Sequence, residues 1–213
     1  GHEIAGHIVE INGPSHLKVG DRVVVAPYVP CGHCYLCMRG EETQCEHLFD
    51  EQPDPGGFAE FVRCPQRLAE RGLIPIPDGL SSPVATLAEA IACAIRAVRD
   101  SRVVPGTRVL VVGDGPMGLI NAAAARAYGA DRVILSGLSP ERLKVAQRHY
   151  ADVIVNIEEV DLKRIVEGET EGHGVDVVIV AVASPAVVRD SLALVRRGGT
   201  LNIFAGQPAG STI

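Results

Sequence analysis

Residues 109–118 read VLVVGDGPMG, an unbroken apolar run that ends at a glycine and restarts as a helix-prone stretch. A strand without polar alternation is what a sheet covered on both faces requires. Gly113, Gly115 and Gly118 fall in the pattern G-x-G-x-x-G, and Pro116 and Met117 stand where the following helix begins. Gly113 permits a tight turn, Gly115 lets the backbone approach a pyrophosphate, and Gly118 lets the helix pack closely on its strand. The first amides of that helix face the phosphates, where the helix dipole favours negative charge. The pattern alone is weak, but between a strand and a helix it points to a dinucleotide site.

The surrounding sequence has the rhythm this motif needs. Strand-like runs at 108–112, 132–135, 152–155, 175–181 and 200–204 alternate with helix-like runs at 117–128, 140–149 and 186–196. Ser139 and Pro140 supply an N-cap and a first-turn proline, while Gly129 and Gly198 fit helix C-termini. Repeated βαβ units predict an α/β domain with a doubly wound parallel sheet. The residue that reads the adenosine ribose is expected at the end of the second strand, about 20 residues beyond the fingerprint. Gly137 stands there instead of an acid, so nothing at that position repels a 2′-phosphate, and Ser136, Ser139 and Arg142 are placed to surround one. On this ground NADP is slightly favoured over NAD, since the missing acid permits NADP without requiring it.

Residues 1–83 read differently: short strands at 4–11, 22–26 and 58–63, separated by turns and prolines, predict a small irregular β-rich domain. A helix is expected over 84–98. Of six cysteines, Cys31, Cys34, Cys37 and Cys45 lie within 15 residues, spaced C-x2-C-x2-C and then seven residues on. Four soft ligands on one loop suit a closed, structural zinc site. An iron–sulfur cluster is the sharpest competitor, although the ferredoxin run continues with three residues and Cys-Pro rather than seven residues and Cys45-Glu46. His33 or His47 in place of one thiolate, or four free thiols, are the other readings.

Composition narrows the class. A chain of 213 residues, 46% hydrophobic and 22% charged, can bury a core without disulfides. The net charge of −6 argues against nucleic acid or an anionic membrane as partner. The acidic balance, the clustered thiols and the absence of a targeting signal suggest the cytoplasm. The chain opens on Gly-His-Glu inside a strand-like run and trails off after another, which reads as an interior piece of a longer protein, with both domains incomplete at the chain ends.

Six segments in one order carry a resemblance: GHEIAG at 1–6, VGDRV at 19–23, CGHCYLC at 31–37 with Cys45, GGFAEF at 56–61, AEAIACAIRA at 88–97 and GDGPMG at 113–118. Together they resemble the zinc-dependent medium-chain dehydrogenases, in particular the sorbitol, polyol and threonine dehydrogenase branch. That resemblance implies a GroES-like catalytic domain over 1–90, with its structural-zinc loop at 28–48, and a Rossmann domain over 91–213 whose last strand is missing. It implies a second, catalytic zinc, with His2 as a ligand, Glu3 beside it and Glu89 as the third group, acting directly or through water. The first cysteine ligand and the proton relay are expected upstream of Gly1; Cys64 and Cys93 do not match that position. Backbone near Ala205 is expected to line the nicotinamide end.

The implied reaction is hydride transfer between a secondary alcohol or polyol and NAD(P), in a protein that is a homo-oligomer when complete. The alternatives are a catalytically incomplete module binding cofactor and structural zinc, or a zinc-independent reductase of the same superfamily. Ala90 in place of a common proline, and Val180-Ala181-Val182-Ala183 in place of a more polar strand end, depart from the family pattern.

Overall fold

In a computed structural model that describes residues 1–213, the two rhythms of the sequence become two units, Gly1–Ala90 and Ile91–Ile213. In the first, β1 (Ile4–His7), β2 (Arg22–Val25) and β3 (Leu73–Pro75) form an antiparallel sheet in the order β1-β2-β3. Adjacent residues of a strand face opposite sides. Val25, paired with Ile4, therefore packs with Val29 and with Leu68 of helix α2 (Gln66–Arg71). Val24 packs instead with Ile76 and with Ala85 of α3 (Ser82–Ala85). The cysteine loop stands apart with α1 (Tyr35–Met38) and a 3-10 turn (Glu42–Gln44); its buried core is four cysteines and Leu48.

Three expectations for this unit change. The first strand ends at His7 rather than at 11, because its partner segment turns away once Ile8 has exchanged hydrogen bonds with Asp21 and Gly20. No strand forms over 58–63: the only pairing is one bridge between Asp54 and Arg63, and Phe58 is 97% exposed. A strand pattern without a neighbouring strand has nowhere to place its backbone hydrogen bonds. The helix expected over 84–98 divides into α3 and α4 (Ala88–Asp100), with the break at Thr86, whose hydroxyl donates to the Pro83 carbonyl at 2.8 Å.

In the second unit β4 (Arg108–Val112), β5 (Arg132–Gly137), β6 (Val153–Asn156), β7 (Val175–Val180) and β8 (Val195–Ile203) form one parallel sheet, order β6-β5-β4-β7-β8. Val109, Val111, Val133, Leu135, Val177 and Ile179 face one layer, packed with Ala122 and Ala125 of α5 (Pro116–Ala127) and Leu143 and Ala146 of α6 (Pro140–His149). Leu110, Ile134, Val155, Val178 and Val180 face the other, against Val166 of α7 (Leu162–Glu169) and Val188 of α8 (Pro185–Ser191). Each such side chain contributes about 1.5–3 kcal/mol on burial, so a sheet covered on both faces accounts for the unbroken apolar runs.

Ser139 caps α6, its hydroxyl accepting from the Arg142 amide at 3.4 Å, and Gly129 follows the end of α5. Gly198 does not end a helix. The last helix stops at Ser191 and β8 already begins at Val195, which pairs with Val175, so Gly198 lies within the strand. α7 has only a weak helical pattern in the sequence, since Leu162, Ile165 and Val166 are its only apolar residues; Asp161 caps it by accepting from the Lys163 amide at 2.9 Å. No helix is long and apolar enough to cross a membrane.

Candidate metal and dinucleotide sites

The four loop cysteines converge. Cys34 precedes α1 and Cys37 lies within it, Cys45 follows the 3-10 turn, and all four sulfurs lie within 4.8 Å of one another. Sγ of Cys31 is 4.0 Å from that of Cys37, and Sγ of Cys34 is 3.9 Å from that of Cys45. A tetrahedral zinc with bonds of about 2.3 Å has edges of ~3.8 Å, so the donors match one ion in size and softness. Amides of Cys31 and His47 donate to the Cys45 sulfur, and the Cys34 amide donates to that of Cys31, each at 3.3 Å.

Amides of Cys37 and Glu46 bring the Cys34 thiol down to about 6, and the His33 amide lowers that of Cys31. Burial pushes Cys37 up to about 12. Four adjacent thiols can all ionise only around a cation, which is what a structural metal provides. His33 and His47 stand outside this donor set; the His47 Nδ1 is hydrogen-bonded to Asp50 at 2.9 Å.

His2, Glu3 and Glu89 form a second set, with ligand atoms within 4.8 Å of one another. Nε2 of His2 lies 3.8 Å from the Glu89 carboxylate. His2 precedes β1 and Glu89 sits in the first turn of α4, so strand and helix termini hold the donors together. The His2 side chain is 64% exposed and that of Glu89 only 17%. One imidazole and two carboxylates are a donor set that zinc accepts with a coordination position left open.

The fingerprint lies at the carboxyl end of β4, between β5 and β7, where the strand order reverses and open α/β sheets take their ligands. Gly113 has φ +113°, and its amide donates to the Ser136 carbonyl at 2.9 Å. A β-carbon on Gly118 would stand 1.8 Å from the Gly113 carbonyl oxygen, so the fold itself demands glycine there. Gly115 is different: its φ is −68° and a β-carbon would meet nothing within 4 Å. The open space over Gly115, next to Pro116 and the free first amides of α5 at Met117 and Gly118, is the cradle a pyrophosphate fits.

At the ribose end the structure rearranges what the sequence suggested. Ser136 is 1% exposed, its hydroxyl directed at the Val111 carbonyl 3.5 Å away. Ser139 spends its hydroxyl on capping α6 and on the Glu141 carboxylate, 3.1 Å away, while Arg142 is exposed. The space beside Gly137 is filled: a β-carbon there would lie 2.3 Å from Cγ of Asp114. Asp114, the middle residue of Gly-Asp-Gly, has no sequence signal of its own; only its position against another strand end marks it.

Beyond β8 the Ala205 amide donates to the Val180 carbonyl at 3.0 Å, which sets Ala205 at the carboxyl edge of the sheet. Gln207, which carries no sequence signal, donates to the carbonyls of Ala205 and Val182, and its Oε1 is buried without a partner.

Comparison with known proteins agrees with this geometry. Residues 1–78 match the alcohol dehydrogenase GroES-like domain and residues 116–213 the zinc-binding dehydrogenase domain. The chain is 37% identical to sorbitol dehydrogenase of Bacillus subtilis and 34% identical to L-threonine 3-dehydrogenase of Pyrococcus horikoshii, in each case over all of this chain and 60% of the relative. It thus spans about 60% of the length of these relatives. Among solved structures, an alcohol dehydrogenase from Thermus sp. ATN1 superposes with a TM-score of 0.88 at 30% identity, over 99% of this chain and 62% of that one. A Sinorhizobium meliloti structure bound to NADP superposes with a TM-score of 0.87 at 29% identity, over 100% of this chain and 62% of that one. With both domain models matched in order, the chain belongs to the zinc-binding alcohol and polyol dehydrogenase family.

Proposed function

We propose that this chain is part of an oxidoreductase that interconverts a secondary alcohol or polyol with its ketone, using NAD(P) and zinc. The observation that carries the reading is the cluster of His2, Glu3 and Glu89, an open nitrogen–oxygen donor set apart from the closed four-sulfur site. Held by these residues, zinc would supply Lewis acidity toward a hydroxyl or carbonyl oxygen, and a bound nicotinamide would supply the hydride chemistry. The protein's share is placement. His2 and Glu89 hold and tune the metal, Gly115 and the first amides of α5 bind the pyrophosphate, and the backbone at Ala205 orients the nicotinamide. Gln207 Oε1 presents a buried acceptor suited to an amide donor beside Ala205. Cys31, Cys34, Cys37 and Cys45 take no part in the chemistry and hold their loop.

The named relatives act on sorbitol and on L-threonine, and a third, 33% identical over 93% of this chain, on erythritol or L-threitol. All are small molecules bearing secondary hydroxyls, and that is the substrate class proposed here. The neighbour holding NADP supports a nicotinamide dinucleotide as cofactor. Gly137 carries no acid, but the Asp114 carboxylate lies beside it and weighs against a preference for NADP. Four thiols ready for zinc require a reducing compartment, which fits the cytoplasm. Assembly as a homo-oligomer, with neither nucleic acid nor membrane as partner, completes the proposal.

Zinc per chain, measured by elemental analysis alongside Cys31→Ser, tests the reading. Near two zinc ions, falling to one in the variant, is the expected result. His2→Ala is then expected to remove the other ion, and in the complete protein to abolish polyol-dependent reduction of NAD(P). Near one ion, lost in Cys31→Ser, would leave a cofactor- and structural-zinc-binding module in its place.

A further inference from the structure

The position that reads the adenosine ribose in a doubly wound sheet is the end of the second strand, here Gly137 at the end of β5. It has no side chain, yet its surroundings are not empty. A β-carbon on Gly137 would lie 2.3 Å from Cγ, 2.4 Å from Cβ and 2.7 Å from Oδ2 of Asp114. The two residues exclude each other: while Asp114 points this way, only glycine fits at 137. An acid has been delivered to the strand end from the phosphate loop instead of from the strand.

That carboxylate is held in place. Its Oδ2 accepts the amides of Leu138, at 3.2 Å, and Ser139, at 2.6 Å, and the residue is 9% exposed. Both amides take Oδ2, and neither engages Oδ1. A fixed acceptor between the pyrophosphate loop and the strand end suits the 2′- and 3′-hydroxyls of a ribose.

The same surroundings turn away a 2′-phosphate. The amides that could hold an anion at the start of α6 are already committed, that of Ser139 to Asp114 and that of Arg142 to the Ser139 hydroxyl. A second carboxylate, Glu141, lies against that hydroxyl, and its own backbone amide holds its pKa below the usual range. A phosphate placed here meets two carboxylates, and these two backbone amides are not available to it.

We propose that Asp114, acting in place of residue 137, reads the adenosine ribose of the cofactor and makes the protein select NAD over NADP. The inference rests on the nicotinamide dinucleotide site proposed above. Calorimetric titration of the full chain with NAD+ and with NADP+, without substrate, tests it. The wild type is expected to bind NAD+ at least about tenfold more tightly. Asp114→Asn keeps an acceptor for the two amides and removes the charge, so the ratio of the two affinities is expected to move at least about tenfold toward NADP+. Asp114→Gly combined with Gly137→Asp returns the acid to the strand and is expected to keep the preference for NAD+.

A purely structural Asp114 would alter melting temperature without altering that ratio. Equal or tighter binding of NADP+ by the wild type, or a ratio unmoved in Asp114→Asn, overturns the proposal. If Asp114→Asn does not fold, the wild type and the double variant decide it: loss of NAD+ preference in the double variant also overturns it. Failure of the wild type to bind either dinucleotide overturns the cofactor reading itself, and with it this one.

Discussion

Gly115 and Gly118 belong to one motif and answer to different constraints. Gly118 is required by the chain itself, since any β-carbon would run into the Gly113 carbonyl at 1.8 Å. Gly118→Ala is expected to cost about 1–3 kcal/mol and to lower the melting temperature by several degrees, read by calorimetry. Gly115 faces open space in a conformation any residue adopts. Gly115→Ala is therefore expected to melt at or slightly above the wild-type temperature while binding dinucleotide about tenfold more weakly in a titration. Equal loss of stability in both variants would mean that the loop needs glycine for folding alone. The fingerprint was legible from sequence because turn, approach and packing lie within a few residues of one another. Asp114 was not, because its role depends on a strand end brought beside it by the fold.

At the scale of elements, the cysteine loop has almost no apolar core: four cysteines, Leu48 and the partly buried Leu36 are what pack within it. A metal must do the work that burial does elsewhere. Cys31→Ser, or chelation of the wild type, is expected to expose the loop to limited proteolysis between residues 31 and 48 while the parallel sheet stays resistant. Uncut loop in the metal-free variant would show that the ion is dispensable for its order. The cysteine spacing was readable because all four donors come from one short stretch. The strand expected over 58–63 failed for the opposite reason, since a strand depends on a partner and this segment has one bridge to Asp54. The end of the last helix shifted likewise, because pairing of Val195 with Val175 claims residues that a helical pattern would also accept.

For the whole molecule, two carboxylates tie together strands remote in sequence. Asp176 accepts the Arg108 amide and the Arg196 guanidinium, each at 2.7 Å, and so joins β4, β7 and β8. Asp152 accepts the Val133 amide at 2.7 Å and pairs with Arg126. Burial alone would raise both pKa values, but these amides and arginines outweigh it and the net shift is downward. A carboxylate with a folded pKa below its unfolded value near ~3.9 lends stability that is fully present above that value. The stability is lost as pH falls through the folded pKa. The melting temperature is thus expected to hold steady from pH 7 to 5 and to drop below about pH 4, with a shallower drop in Asp176→Asn. An unchanged acid profile in that variant would remove Asp176 from the account.

The sequence by itself determined what is local: the βαβ rhythm, the glycine fingerprint, the single-loop cysteine site and the two-domain order. Each follows from periodicity or from donors close together in the chain. Only the tertiary structure decided which acid stands beside Gly137, how close His2, Glu3 and Glu89 come to one another, and where strands find partners. These depend on contacts between segments far apart in sequence. A side chain can take over another position's role across such a contact, as the Asp114 carboxylate does in the space that Gly137 leaves open.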